Sequence, residues 1–277
     1  MTYSMIEAIQ KRHSVRTFLP KALEAPVKDA LQDLLTQSST TAFRFAYLDK
    51  SFGQGVKLGT YGMIKGANQY LVGIVHKEDH ANKRVAMDFA EAFERIILTA
   101  TSMGLGTCWM AGTYSLADVE KAVDLGADET VAIISPIGHG APKKRLLERM
   151  SSSFARSDQR KTWEELFYFE SFERPLTHDQ AGDYAQALEM LRLAPSAVNM
   201  QPWRVVKVGE RFDFYIVEKY AAIKKGQRIY LGYNDMGIGR CHFKETCKEM
   251  GLKGVWKTID PPQRAGYVYV ESFFPNL

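Results

Sequence analysis

The stretch Pro195-Ser196-Ala197-Val198-Asn199-Met200-Gln201-Pro202-Trp203 decides how this chain is organised. It interrupts the apolar run Tyr184, Ala187, Leu188, Leu191, whose spacing predicts a helix, and it precedes Val205, Val206 and Val208, which read as a strand. Two prolines bar a regular helix or central strand here, because each removes an amide donor and restricts the residue before it. Ser196, Asn199 and Gln201 therefore sit on irregular backbone between a helix and a strand. Such a loop can present hydroxyl and amide groups to a planar, heteroatom-rich ligand. A capped helix end followed by a turn fits the same residues, and their chemistry alone leaves both readings open.

A second unusual stretch lies near the start. Ser4 is a candidate cap for a short helix carrying Met5, Ile6 and Ile9. Lys11-Arg12-His13-Ser14-Val15-Arg16-Thr17-Phe18 follows, then Pro20. Alternation in an extended segment places Arg12, Ser14 and Arg16 on one side. Guanidinium groups so arranged suit a phosphate monoester, through charge-assisted and bidentate hydrogen bonds. A solvated basic surface is the other reading.

Between these stretches the periodicity is ordinary. Val27, Ala30, Leu31, Leu34 and Leu35 predict a core-facing helix, and Phe43, Phe45 and Tyr47 alternate as a strand does. Leu71 to Val75 and Val131 to Ile137 read as buried strands. Phe89, Ala90, Phe93, Ile96, Ile97 and Ala100 form one apolar stripe of a long helix. Its exit, Gly104-Leu105-Gly106-Thr107-Cys108-Trp109-Met110-Ala111-Gly112, either lays bare amides against a ligand or simply turns and packs the chain. Cys108 reads as a packing residue.

Three phrases together resemble the FMN-dependent nitroreductase family. PSAVNMQPW is similar to its PSxxNxQPW loop, RHSVRTF to its RRSxRxF element with His13 in the second basic position, and GLGTCWMAG to its LGLGTCWxxG segment. The resemblance implies an α+β nitroreductase-like fold with FMN as cofactor. It implies that Arg12, Ser14 and Arg16, assisted by His13, hold the flavin phosphate and ribityl chain. Ser196, Asn199 and Gln201 would meet the ring and ribityl hydroxyls, and Met110, Ala111 and Gly112 would lie near flavin N5. A basic residue after a glycine-proline turn often reaches the phosphate in this family, which makes Lys143 and Arg145 the matching candidates. The implied reaction takes hydride from NADH or NADPH and passes electrons to a nitroaromatic, quinone or similar small-molecule acceptor in a ping-pong cycle. No catalytic side chain is required. A flavin-binding or structural pseudo-enzyme without nicotinamide-dependent turnover is the alternative.

The second half echoes the first. Phe172-Glu173-Arg174-Pro175-Leu176 before a helix parallels Phe18-Leu19-Pro20-Lys21-Ala22. Asp235 to Gly251, containing GIGRCHF, parallels Phe93 to Gly104, and Tyr267, Tyr269 and Glu271 read as a last strand. The polar segment from Ser151 to Arg160 is the candidate boundary, giving residues 1–160 and 161–277 as two nitroreductase-like halves. The basic run occurs only in the first half and the prolyl loop only in the second. That complementary loss resembles the fused, tandem type of the family, one chain folding as an intramolecular pseudo-dimer. The expectations are one FMN per chain and a monomer with at most weak self-association.

Composition narrows the field further. The chain has 277 residues, 45% apolar and 25% charged, with a formal charge of +4. Those are values of an ordinary globular protein, and interspersed charge does not point to nucleic acid. Cys108, Cys241 and Cys247 make no disulfide framework or metal pair, and no histidine spacing suggests zinc, so no metal and a reducing, cytoplasmic setting are expected. Met1 leads into an amphipathic segment, which argues against a signal peptide. No stretch approaches the roughly 18 apolar residues of a membrane span.

Overall fold

The computed structural model describes residues 3–49, 62–141, 159–223, 229–261 and 263–276. Lys143, Arg145 and most of the polar boundary segment lie outside the described residues.

Helix α1 (Met5–Lys11) starts at a reciprocal cap: Glu7 N donates to Ser4 Oγ, and Ser4 N donates to the Glu7 carboxylate. Helix α2 (Ala25–Ser38) buries Leu31 and Leu35, with Val27 and Leu34 half-buried beside them. The first sheet is antiparallel, ordered β1-β2-β4-β3, from β1 (Phe43–Asp49), β2 (Gln69–His76), β3 (Gly106–Thr107) and β4 (Glu129–Gly138). Strand β2 is buried on both faces because two different layers cover it. Leu71 and Val75 join the main core under helix α3 (Lys83–Ser102). Tyr70, Val72 and Ile74 meet Met110, Tyr114 and Val119, the last on helix α4 (Leu116–Glu120).

The second sheet contains the order β7-β8-β10-β9, from β7 (Trp203–Val208), β8 (Arg211–Val217), β9 (Gly254–Lys257) and β10 (Tyr267–Pro275). This matches the strand order of the first sheet, with helix α7 (Leu231–Glu249) where α3 stands in the first half. Both long helices end alike. Met103-Gly104-Leu105 and Met250-Gly251-Leu252 carry glycines at φ +80° and +70°, and each leucine amide bonds the carbonyl five residues back, Ala100 and Cys247 respectively. Trp109 and Trp256 follow at the same spacing.

One pairing was not legible in the sequence. Strands β5 (Phe167–Phe169) and β6 (Ser171–Pro175) form a small hairpin, and β5 runs parallel to β7, so the second sheet is mixed. The expected segment from Phe172 is thus strand, followed by the short helix α5 (His178–Ala181) and by α6 (Ala185–Arg192).

Helices α3 and α7 lie against each other between the sheets. A single apolar core runs from Leu31 and Phe89 of the first half to Phe214, Phe243 and Phe273 of the second. Helix α1 also crosses over: Ile9 packs with Leu98 of α3, Cys241 of α7 and Met190 of α6. Each fully buried aliphatic or aromatic side chain here contributes about 1.5–3 kcal/mol relative to exposure. Among the described residues, no helix is long and apolar enough to cross a membrane.

Candidate functional site

The basic run is placed by its backbone. Beyond α1 it is extended and threads past the ends of the first sheet. Val15 N donates to Thr107 O at 2.8 Å, and Lys65 N donates to Arg16 O and Phe18 N to Lys65 O at the same distance. Leu19 N then donates to His139 O, and Ala141 N to Thr17 O, both at 2.9 Å. Phe18 is buried and fixes the exit. Arg12, Ser14 and Arg16 all act electrostatically on the Cys108 thiol. Burial pushes that thiol up, against the pull of Arg16, Ser14 and Arg12, which keeps Cys108 a neutral packing group. His13 is exposed, with its Nδ1 against Lys11 O.

The glycine-rich exit has separate local reasons. Gly104 takes the left-handed cap. At Gly106 a Cβ would stand 2.8 Å from Val15, so glycine there lets the basic run approach. Met110 uses both backbone groups on Ile134, at 2.9 and 3.1 Å, and its side chain is core. Gly112 is exposed, and a Cβ there meets nothing within 4 Å.

In the prolyl loop, Val198, Asn199 and Gln201 all have positive φ, of 44°, 58° and 47°. Left-handed backbone without glycine costs roughly 1–3 kcal/mol per residue and persists only where surroundings enforce it. The enforcing bonds are present. Gln201 N donates to Ser196 Oγ at 2.8 Å, and Ala197 N to Asp235 Oδ1 of α7 at 2.9 Å. Gln201 is buried, its Oε1 accepting from Lys161 N at 2.7 Å and its Nε2 donating to Asn199 Oδ1 at 3.1 Å. Asn199 Nδ2 donates to Gln159 O at 2.7 Å, and Arg160 Nη1 donates to Asn199 Oδ1 at 3.3 Å. Ser196 and Gln201 thus brace the loop, while Val198 stands 93% exposed at its tip.

Both stretches are anchored on α7. The prolyl loop reaches it at Asp235, and the basic run reaches it through Glu94 of α3. Arg12 Nε lies 3.9 Å from Glu94 Oε1, which is 2.8 Å from His242 Nε2. Trp109 Nε1 donates to Glu94 Oε2 at 2.6 Å, tying the glycine-rich exit to the same carboxylate. Asp235 and His242 are seven residues apart, two turns on one helix face, or about 10 Å along the axis. The Arg12 side chain is 6% exposed, and its Nε has no hydrogen-bond partner among the described residues.

The sequence profile of the family described as "Putative TM nitroreductase" matches residues 4–247, a span that takes in both stretches, α3 and nearly all of α7. The chain belongs to this family.

The solved structure of a "putative nitroreductase" from Thermotoga maritima resembles this nitroreductase-family chain over its whole length. The TM-score is 0.62, with 22% identity and 96% of that chain covered, a likeness of fold. A nitroreductase family protein from Clostridium novyi NT aligns with 50% of this chain and 86% of its own, at 21% identity and a TM-score of 0.42. An FMN-dependent nitroreductase from Clostridium difficile R20291 aligns with 50% of this chain and 89% of its own, at 19% identity and 0.41. No curated protein matches.

The nitroreductase-family chain carries a different constellation around the loop after α2. A cavity of about 390 Å³ is lined there by Thr40, Phe43, Asp88, Glu91, Arg240 and Lys244, among others. The side chain of Arg240 is 3% exposed and pairs with Asp88, Glu91 and Glu271, the last at 2.9 Å. Burial alone would lower this guanidinium's pKa, and the carboxylates of Glu91, Glu271 and Asp88 raise it instead. Among the described residues, no group of three or more His, Cys, Asp or Glu side chains could hold a metal ion.

Sequence reasoning missed Glu94, Asp235 and the bracing Gln159–Arg160 pair. Glu94 falls within the apolar stripe of α3 and Asp235 within the glycine-rich phrase of α7. A carboxylate flanked by core residues was the available signal.

Proposed function

We propose that this chain is an FMN-dependent NAD(P)H oxidoreductase reducing nitroaromatic, quinone or similar small acceptors, with one flavin site assembled inside one chain. The observation that carries the reading is Arg12: a buried guanidinium whose Nε lacks a hydrogen-bond partner, beside Ser14 and Arg16 and next to the Thr107–Gly112 segment. Glu94 Oε1 at 3.9 Å is too far to hydrogen-bond it, and the planar fork of arginine suits a phosphate. When bound, FMN supplies hydride transfer at its ring nitrogen N5.

The chain's own residues divide the work of holding it. Arg12, Ser14 and Arg16 take the phosphate and ribityl chain, with His13 at the exposed edge and Lys143 and Arg145 as outer support. Asn199 meets ring or ribityl groups from the prolyl loop, with Ser196 and Gln201 fixing its conformation. Ala111 and Gly112 border the ring, Met110 serving through its pairing with Ile134. No side chain is needed as nucleophile or acid.

Residues 1–160 and 161–277 are read as two halves of an intramolecular pseudo-dimer. Support comes from the matching strand orders, the matched glycine caps of α3 and α7, and the helices that cross between halves. The loop after α2 faces the Arg240 ion pairs in place of an Asn/Gln prolyl loop, which favours a single flavin site per chain.

The test combines flavin absorbance with a mass measurement in solution, followed by anaerobic addition of NADH or NADPH. One FMN per monomeric chain, bleached by a reduced nicotinamide, is the expected result. Protein that takes up no FMN overturns the reading, and bound FMN that neither nicotinamide reduces makes the chain a flavin-binding pseudo-enzyme. Two FMN per chain would locate a second site at the loop after α2.

A further inference from the structure

His242 and Glu94 form a pair whose proton count is fixed by its surroundings. Both side chains are fully buried. His242 Nδ1 is 3.0 Å from Met190 O, a carbonyl that can only accept, so Nδ1 carries a hydrogen. Nε2 is 2.8 Å from Glu94 Oε1, while Glu94 Oε2 already accepts from Trp109 Nε1 at 2.6 Å. A neutral imidazole with its hydrogen on Nδ1 would set a bare Nε2 lone pair against a carboxylate oxygen. One further proton must therefore lie between Nε2 and Oε1. Whichever atom holds it, imidazolium with carboxylate or imidazole with carboxylic acid, the pair as a whole is neutral.

Arg12 is the third member. Its Nε lies 3.9 Å from Glu94 Oε1, beyond hydrogen-bond reach. A bare Glu94 carboxylate at that distance would turn to Arg12 and cancel its charge. With the proton shared by His242, Glu94 is already satisfied on both oxygens, and the buried Arg12 remains a net cation.

We propose that His242 is a positioning residue which, through a proton shared with Glu94, prevents Glu94 from neutralising Arg12 and so reserves Arg12 for an anionic phosphate group. Glu94 at the same time ties the basic run to Trp109 and to α7. The inference rests on the flavin reading for the identity of the phosphate ester, and on hydrogen-bond chemistry alone for the proton.

Two measurements separate these parts. On the free protein, the ¹⁵N and ¹H resonances of the His242 ring are assigned by their loss in His242→Gln. The expected result is a hydrogen on Nδ1 and a strongly deshielded proton in the hydrogen bond between Nε2 and Glu94, the latter lost in Glu94→Gln. A ring protonated only on Nε2 overturns the proposal whether or not flavin binds.

On the ligand side, FMN and riboflavin are titrated in parallel, because their affinity ratio isolates the phosphate. In His242→Gln the ratio should fall about tenfold, the scale of one charged hydrogen bond. Adding Glu94→Gln to that variant should restore it, since the competing carboxylate is then gone. Equal losses for FMN and riboflavin, or a double variant no better than the single one, overturn the proposal. Wild-type protein that binds neither flavin refutes the flavin reading, and inorganic phosphate then replaces FMN as probe, with the same tenfold loss and rescue required.

Discussion

A Cβ on Gly237 of α7 would stand 2.1 Å from the carbonyl oxygen of Met87 on α3. The two helices approach backbone to backbone at this point, which only glycine permits. Replacing an ordinary helical glycine with alanine gains about 0.5–1 kcal/mol. Gly237→Ala should reverse that sign and destabilise the chain by about 1–3 kcal/mol, because the obstacle is main chain and cannot rotate away. Gly239 is the internal control, since a Cβ added there would meet only ordinary contacts at 3.5 Å. Urea denaturation should show Gly237→Ala with a lower midpoint and Gly239→Ala at or above wild type.

Arg240, three residues along α7 from Gly237, tests the same helix pair at its ion pairs. Three carboxylates, on Asp88, Glu91 and Glu271, converge on its buried guanidinium. Arg240→Met strands them, and removing one partner of a buried ion pair costs about 3–5 kcal/mol. Arg84, whose side chain is 60% exposed and pairs with Asp88 and Glu271, is worth far less. A thermal melt in which Arg84→Ala lost as much as Arg240→Met would contradict the ranking.

Asp235 gives the chain a pH dependence. Burial pushes its carboxyl well above the ordinary 3.8, only partly offset by the Ala197 amide that Oδ1 accepts. The unfolded chain releases this proton at the ordinary value and the folded chain retains it. Stability therefore declines as pH rises above that value, until the folded carboxyl itself titrates. Asp235→Asn keeps the acceptor for Ala197 and has no proton to lose. Its melting temperature should match wild type near pH 4 and exceed it increasingly toward pH 7. A gap that narrows with rising pH would mean an ionised, stabilising Asp235.

The proposed flavin site makes its own demands on the two stretches. Arg16→Ala and Asn199→Ala should each weaken FMN binding about thirtyfold, the equivalent of about 2 kcal/mol for one charged or buried partner, without unfolding the chain. Mixing the two variants should restore nothing if each site lies within one chain. Titrations within twofold of wild type for both would remove these residues from the site.

Much of this molecule is written locally. The capping box at Ser4 and Glu7, the stripe of α3 and the alternation of β1 are short-range patterns, because helix and strand periodicity depends on residues a few positions apart. The basic run and the prolyl loop were legible for the same reason: prolines and clustered cations constrain their own backbone. What the residues of those stretches do was decided by packing across long separations. Gly106 admits Val15, which no local pattern announces, and Ser196 and Gln201 turn inward to brace Asn199. Asp235 and Glu94, read as parts of helical stripes, become the two anchors only when α3 and α7 meet, since a buried polar group must find its partner wherever the chain brings one. The parallel pairing of β5 with β7 is likewise a long-range choice. The sequence determined which segments are irregular and charged; only the tertiary structure decided which of their groups the protein uses on itself, as it does Ser196 and Gln201, and which, like Arg12 Nε, find no hydrogen-bond partner among the described residues.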